Sequence, residues 1–257
     1  MFGKGLSNIM KKGIVRVYSI VLFIIMTVSS VTYAEESGDM LNNFYIQHGD
    51  RSNPRIAITI DDGYELEYYW KCAELCRQYH VGMTFFPIGL VLKESDRENW
   101  QAVLDAGCEI GSHSNAHNHL DIGGPANTIL RLGRFQEKLD QTLGYHYEIR
   151  WMRPPFGAVA KDKKNTSITQ NAIRRYGYEH IVLWDVSETD PEKVLQDVQN
   201  GSILLFHTRK KDYRCIESIL PKLLEAGYQI VTLSEMFDFA PPEVSESLYI
   251  YDKKNYQ

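Results

Sequence analysis

The sequence predicts an α/β protein built on a parallel sheet. Two observations carry this. Short apolar runs alternate with longer stretches of helical period, and several runs are followed at once by polar, chemistry-bearing residues. The runs fall at 56–60, 84–88, 108–112, 149–152, 180–184, 203–206 and 229–233, and helical patterns occupy 66–79, 96–106, 126–142, 168–176, 191–199 and 213–226. No internal repeat or low-complexity tract interrupts the alternation.

Residues 1–34 read as a signal peptide. Lys4, Lys11, Lys12 and Arg16 precede an uncharged stretch from Val17 to Ala34 that ends Val31-Thr32-Tyr33-Ala34, and cleavage after Ala34 is expected. The rival is an uncleaved anchor, because the uncharged stretch approaches the ~20 residues that span a bilayer, although Ser19, Thr27, Ser29 and Ser30 dilute it. Either arrangement places the remainder outside the cytoplasm, secreted or held at the envelope. Residues 35–53 are expected to be an N-terminal linker, 54–240 the domain, and 241–257 a tail in which Tyr249-Ile250-Tyr251 adds an edge contact. Loss of the leader takes four basic groups and no acids from 28 Lys and Arg against 33 Asp and Glu, leaving a net charge of about −9. That balance argues against nucleic acid as a partner. A cleaved leader leaves no membrane span, and a monomer is expected.

The first run ends on Asp61-Asp62-Gly63. Adjacent strand residues point to opposite faces, but at a strand end a turn at Gly63 lets both carboxylates approach one pocket. The third run ends on Ser112-His113-Ser114-Asn115-Ala116-His117, where two histidines four apart can share one face of a helical turn. Two imidazoles and a carboxylate make a three-ligand set of the kind that catalytic zinc sites use while leaving a fourth position open. Asp-Asp-Gly is also an ordinary turn sequence, so the histidines carry the metal reading. Two later segments add Arg153-Pro154-Pro155-Phe156-Gly157 after the fourth run, and a sixth run, Ile203 to Phe206, that ends on His207.

With these motifs in order, residues 54–235 resemble the polysaccharide deacetylases, the carbohydrate esterase family 4 built on the NodB homology domain. The resemblance implies an irregular (β/α) barrel of about seven parallel strands. It implies that Asp61 is the general base, that Asp62, His113 and His117 hold one divalent ion, zinc first and cobalt or another ion next, and that Arg153 pairs with the catalytic carboxylate. It also implies that His207, in Leu205-Phe206-His207, is the general acid; an imidazole titrating near 6.5 suits proton donation near neutrality. The activity implied is hydrolysis of an acetyl amide on a glycan, with Asp61 taking a proton from water and His207 giving one to the leaving amine. Phe156, Trp184 and Leu205 are the implied substrate contacts, Phe156 standing where the family usually has tyrosine.

The fourth motif departs from the pattern of Asp, two residues, then Asp-Trp. Here Ser187 replaces the first Asp and Pro191 the Trp, and only Asp190 remains. The resemblance makes Asp190 the partner of His207, whereas Asp190-Pro191-Glu192 is equally a helix start with Asp as N-cap and Pro in the first helical position. Loss of the Trp removes one apolar wall of the sugar groove.

Cys72, Cys76, Cys108 and Cys215 do not read as a disulfide framework. A bond between residues four apart in a regular helix is strained, and small buried residues are the better description of the pair. A Cys108–Cys215 bridge stays open. The expected function is removal of acetyl groups from N-acetylated sugars of an envelope polysaccharide, peptidoglycan foremost. The alternatives are an O-acetyl esterase of the xylan type on the same site and a degenerate glycan-binding module.

Overall fold

A computed structural model describes residues 41 and 43–256; the leader expected at 1–34 lies outside them. From Asn43 onward the chain forms one compact unit. In chain order it contains β1 (Tyr45–Ile46), β2 (Arg55–Asp62), α1 (Glu67–Tyr79), β3 (Thr84–Pro87), α2 (Arg97–Asp105), β4 (Glu109–Ile110), α3 (Gly124–Leu143) and β5 (His146–Tyr147). There follow α4 (Thr166–Tyr176), β6 (Ile181–Val182), α5 (Pro191–Asp197), β7 (Ile203–His207), α6 (Lys210–Glu225), β8 (Gln229–Ile230), α7 (Leu233–Met236) and β9 (Val244–Ser245).

The central sheet is parallel, in the order β4-β3-β2-β7, with β8 joining the start of β2. Every residue of β2 after Arg55 is buried, as expected of a central parallel strand covered on both faces. The sheet curls into a half-barrel. Among the described residues its remaining flank is bridged at single parallel positions, Ser112 to Met152, Met152 to Ile181 and Val186 to Leu204. The irregular α/β barrel is therefore the fold. Its sparse flank explains why the runs expected at 149–152 and 180–184 yield one bridging residue and a two-residue strand.

One expectation needs correction, and one open alternative closes. The run 229–233 stops pairing after Ile230, because Thr232 caps α7 in a reciprocal box with Glu235. The Thr-x-x-Glu spacing is a helix-start signal. The cysteines are all free and buried, so no Cys108–Cys215 bridge forms. Cys76, on α1, instead lies against Cys108, the residue before β4.

The tail is docked. β9 pairs antiparallel with β5, and the buried Asp140 carboxylate accepts hydrogen bonds from His146 Nδ1 at 2.7 Å and Tyr249 N at 2.8 Å. Tyr251 N donates to Glu137 Oε1 at 2.7 Å, and the Tyr251 ring covers Gly133 on α3, where a Cβ would collide with it. Gly133→Ala should therefore lift the tail and cost about 1–3 kcal/mol, the usual penalty of overpacking. Limited proteolysis checks this: cleavage beyond residue 244 should accelerate in the variant, and unchanged resistance would show that the Tyr251 contact does not hold the tail.

Candidate active site

The candidate residues converge at the carboxyl ends of β2, β4 and β7. The backbone places them there by local strain. Asp62 adopts φ 80° and Gly63 φ 96°, so the chain turns left-handed as β2 ends and Asp62 swings to the side of Asp61. Gly63 is required for space as well, since an added Cβ would strike Val91 and the Tyr69 ring. Ser114 and Phe156, both at φ 65°, are further non-glycine residues in this sparsely populated region, and both flank the site.

One ligand atom from each of Asp62, His113 and His117 falls within 4.8 Å of the others. Asp62 Oδ1 stands 3.5 Å from His113 Nε2 and 3.4 Å from His117 Nε2. It is buried and has no hydrogen-bond partner. A buried carboxylate oxygen left unpaired between two imidazole nitrogens is costly, and a shared cation would relieve it. The donor set, one oxygen and two nitrogens, fits a divalent ion such as zinc with positions left open. His113 Nδ1 lies 2.8 Å from Arg153 O; a carbonyl can only accept, so Nδ1 carries the proton and Nε2 keeps its lone pair for the site.

The electrostatics agree with this use. Burial pushes the Asp62 carboxyl upward, but the facing imidazoles of His113, His117 and His207 more than offset it and hold it below its ordinary value. Burial also pushes His117 below its ordinary value, against the pull of Asp62, and so favours the neutral imidazole that ligates metals.

Arg153 is completely buried and donates to Asp61 Oδ1 at 2.8 Å and Thr59 Oγ1 at 2.7 Å. Its other nitrogens donate to the carbonyls of Val182 at 3.1 Å and Leu183 at 2.9 Å. Asp61 is thereby fixed on one oxygen, and the other lies 3.8 Å from His113 Nε2.

His207 ends β7 opposite Asp61 in the parallel register. Its carboxylate neighbour is Asp212, not Asp190. Asp212 Oδ1 accepts the His207 backbone N–H at 2.9 Å and lies 3.6 Å from its Nδ1. Asp190 instead accepts from Glu192 N at 3.0 Å as the N-cap of α5. The helix-start reading of Asp190 is thus the one for which a contact is present, and the carboxylate beside His207 is that of Asp212. Contact with Asp212 raises the His207 pKa, with Asp61 and Asp62 adding to the effect and burial opposing it.

Phe156 is 55% exposed, its ring 4.4 Å from that of His117 and 4.3 Å from that of His119, on the rim of the site. Trp184 is half-buried, with the Arg153 guanidinium 5.6 Å from its ring and Gly157 closely apposed to its edge. Leu205 is buried on the face of β7 that carries His207. Two neighbours escaped the sequence reading. Asp212 had a signal, an acid in the first turn of the helix after His207; Tyr64, exposed at the rim 6.4 Å from the His117 ring, had none.

The fold and site together describe a carboxylate-and-imidazole cluster able to hold a metal ion at the strand ends of an α/β half-barrel. The sequence profile of the polysaccharide deacetylases matches residues 48–181, and the chain belongs to that family. It is 30% identical over 203 residues to a peptidoglycan-N-acetylglucosamine deacetylase of Bacillus cereus, covering 72% of this chain and 88% of that one. It is 25% identical over 232 residues to an uncharacterized 30.6 kDa protein of Geobacillus stearothermophilus, covering 84% and 83%. Among solved structures, PdaA of Bacillus subtilis, a family 4 carbohydrate esterase, superposes with a TM-score of 0.67 at 20% identity, covering 80% of this chain and 89% of that one. A family 4 pseudoenzyme from Bacillus anthracis superposes at 0.66 and 20%, covering 78% and 71%.

Asp62→Ala should abolish stoichiometric zinc binding measured by calorimetry, whereas Asp61→Asn should retain it and lower turnover by about 10²–10⁴-fold, the usual worth of a general base. Equal loss of metal in both would mean that the two carboxylates share one role. A second expectation concerns His207. Its raised pKa keeps the acid form to higher pH, so Asp212→Asn should move the alkaline limb of kcat/KM to lower pH, while Asp190→Asn leaves that limb in place. A limb unmoved in Asp212→Asn would remove Asp212 from the acid.

Proposed function

We propose that the protein is a metal-dependent hydrolase that removes acetyl groups from N-acetylated sugars of an envelope polysaccharide, with peptidoglycan as the first substrate to test. The observation that carries this reading is the unpaired, buried Asp62 oxygen set between two histidine nitrogens, beside a second carboxylate locked by a buried arginine. Family membership and the Bacillus cereus relative supply the substrate class. Action outside the cytoplasm follows from that substrate and from the leader expected at 1–34.

Asp62, His113 and His117 would hold the ion. When bound, it supplies Lewis acidity toward the acetyl carbonyl and toward water. Asp61 accepts the proton of the attacking water on the oxygen not committed to Arg153. Arg153 keeps that carboxylate ionised and oriented through the reaction. His207, held protonated by Asp212, gives its proton to the leaving nitrogen, which would otherwise depart as an amide anion. Phe156 and Trp184 offer apolar faces on which a sugar ring can rest.

An inactive module is the second reading, favoured by the altered fourth motif and by the pseudoenzyme among the similar structures. The zinc-loaded protein should release acetate from N-acetylated oligosaccharides and from peptidoglycan, and His207→Ala should penalise these amides far more than activated acetyl esters, whose leaving groups scarcely need a proton. Acetate released only from O-acetylated xylan would make it an esterase. No acetate from any of these, with metal bound, would make it a binding module.

A further inference from the structure

Beside the site lies a cleft of about 420 Å³ lined by Thr189, Pro191, Lys210, Lys211, Arg214 and Cys215. It is formed by the starts of α5 and α6. Both helices begin where the chain leaves the carboxyl ends of strands, so the cleft opens on the rim that carries His207, three residues before Lys210. Lys210, Lys211 and Arg214 are exposed, and among the described residues none of them is paired with a carboxylate.

Two of the nearby acids, Asp212 and Asp190, are already committed, while Glu188 and Glu192 are exposed beside Thr189 and Pro191. Asp212, on the same helical turn, points inward and serves His207 through its backbone N–H and its ring. Asp190 caps α5. Cations in the first turn of a helix oppose its dipole, so Lys210 and Lys211 sit where helix stability disfavours them, with Asp212 as the one acid of that turn. Pro191, moreover, occupies the position at which the family pattern carries tryptophan. An apolar wall of the sugar groove has given way to an open cationic cleft.

We infer that this cleft is a subsite for a carboxylate borne by the glycan next to the acetylated sugar, with Lys210, Lys211 and Arg214 determining the preference for an acidic polymer. Arg214 offers a planar fork that matches a carboxylate, and the two lysines supply mobile point charges. The inference deepens the deacetylase reading and rests on it for the identity of the polymer, but its binding step can be measured without turnover.

The test compares two probes with the zinc-loaded protein: a peptide-free peptidoglycan tetrasaccharide, whose lactyl groups carry carboxylates, and the same tetrasaccharide with those carboxyls amidated. Solvent-exposed charge pairs are individually weak, so the acidic form should bind roughly five- to tenfold more tightly, and the advantage should shrink as salt is added. The double variant Lys210→Ala, Arg214→Ala should bring the ratio close to one while keeping the wild-type melting temperature. Lys210→Arg, which keeps the charge, should retain the ratio. Equal binding of the two probes by the wild type, or a ratio unmoved in the double variant, overturns the subsite. Acetate release without the binding preference leaves the deacetylase reading standing and removes the subsite; the preference without any acetate release does the reverse.

Discussion

The site depends on one buried ion pair. Arg153 has no solvent exposure, and a guanidinium in that position must find a counter-charge and acceptors within the protein. It finds Asp61 and Thr59 on β2 and the carbonyls of Val182 and Leu183 at the end of β6, while its own carbonyl fixes the tautomer of His113. One residue thus ties together segments that are otherwise joined across the sparse flank only by single bridges. Removing one partner of such a pair commonly costs about 3–5 kcal/mol, because the other is left as an uncompensated buried charge. The same contacts that hold the barrel closed also orient Asp61 and His113, the proposed base and a proposed metal ligand.

Two adjacent carboxylates acquire different roles because their surroundings differ. Asp61 is anchored on Arg153, which sits over the Phe86 ring with 4.6 Å between the guanidinium and the ring centre. Asp62, one residue on, has left extended geometry and meets only imidazoles. The positive φ that separates them is a local cost that the surrounding packing must hold in place. Gly111 contributes to that packing, since any side chain there would run into Phe86 and disturb the aromatic shelf beneath Arg153.

Much of this was legible in the sequence because parallel α/β folds write their chemistry at strand ends. Apolar runs that stop on Asp61-Asp62, on Ser112-His113 and on His207 mark both the strand and the place where its side chains leave the core. The helices other than the short α7 were legible within a few residues, their buried faces recurring at helical spacing. What could not be read depends on contacts between distant segments. Met152 bridges two neighbours as a single residue, which no run of β-branched residues announces. The tail reads as a peripheral segment with an edge contact at Tyr249-Ile250-Tyr251, but nothing in it names the buried Asp140 that collects its backbone together with His146. Such docking is set by acceptors far away in the chain, Asp140 and Glu137.

On the proposed function, the fourth motif marks a family role that moves between elements without losing its physics. A protonated histidine needs a carboxylate close to its distal nitrogen, and several backbone positions can deliver one. In this chain Pro191 starts α5 and draws the Asp190 side chain onto the helix's own N–H groups, a use that satisfies an otherwise orphaned donor. The first turn of α6 is the next element within reach of His207, because it follows that residue directly. There Asp212 accepts the His207 backbone N–H, which fixes its position, and then faces the ring. A carboxylate so placed is favoured twice, by the positive end of the helix and by the imidazolium. The surrounding cations gain neither benefit. Their persistence on that turn, beside a position where tryptophan has become proline, is therefore better explained by what approaches from solvent than by anything the fold requires.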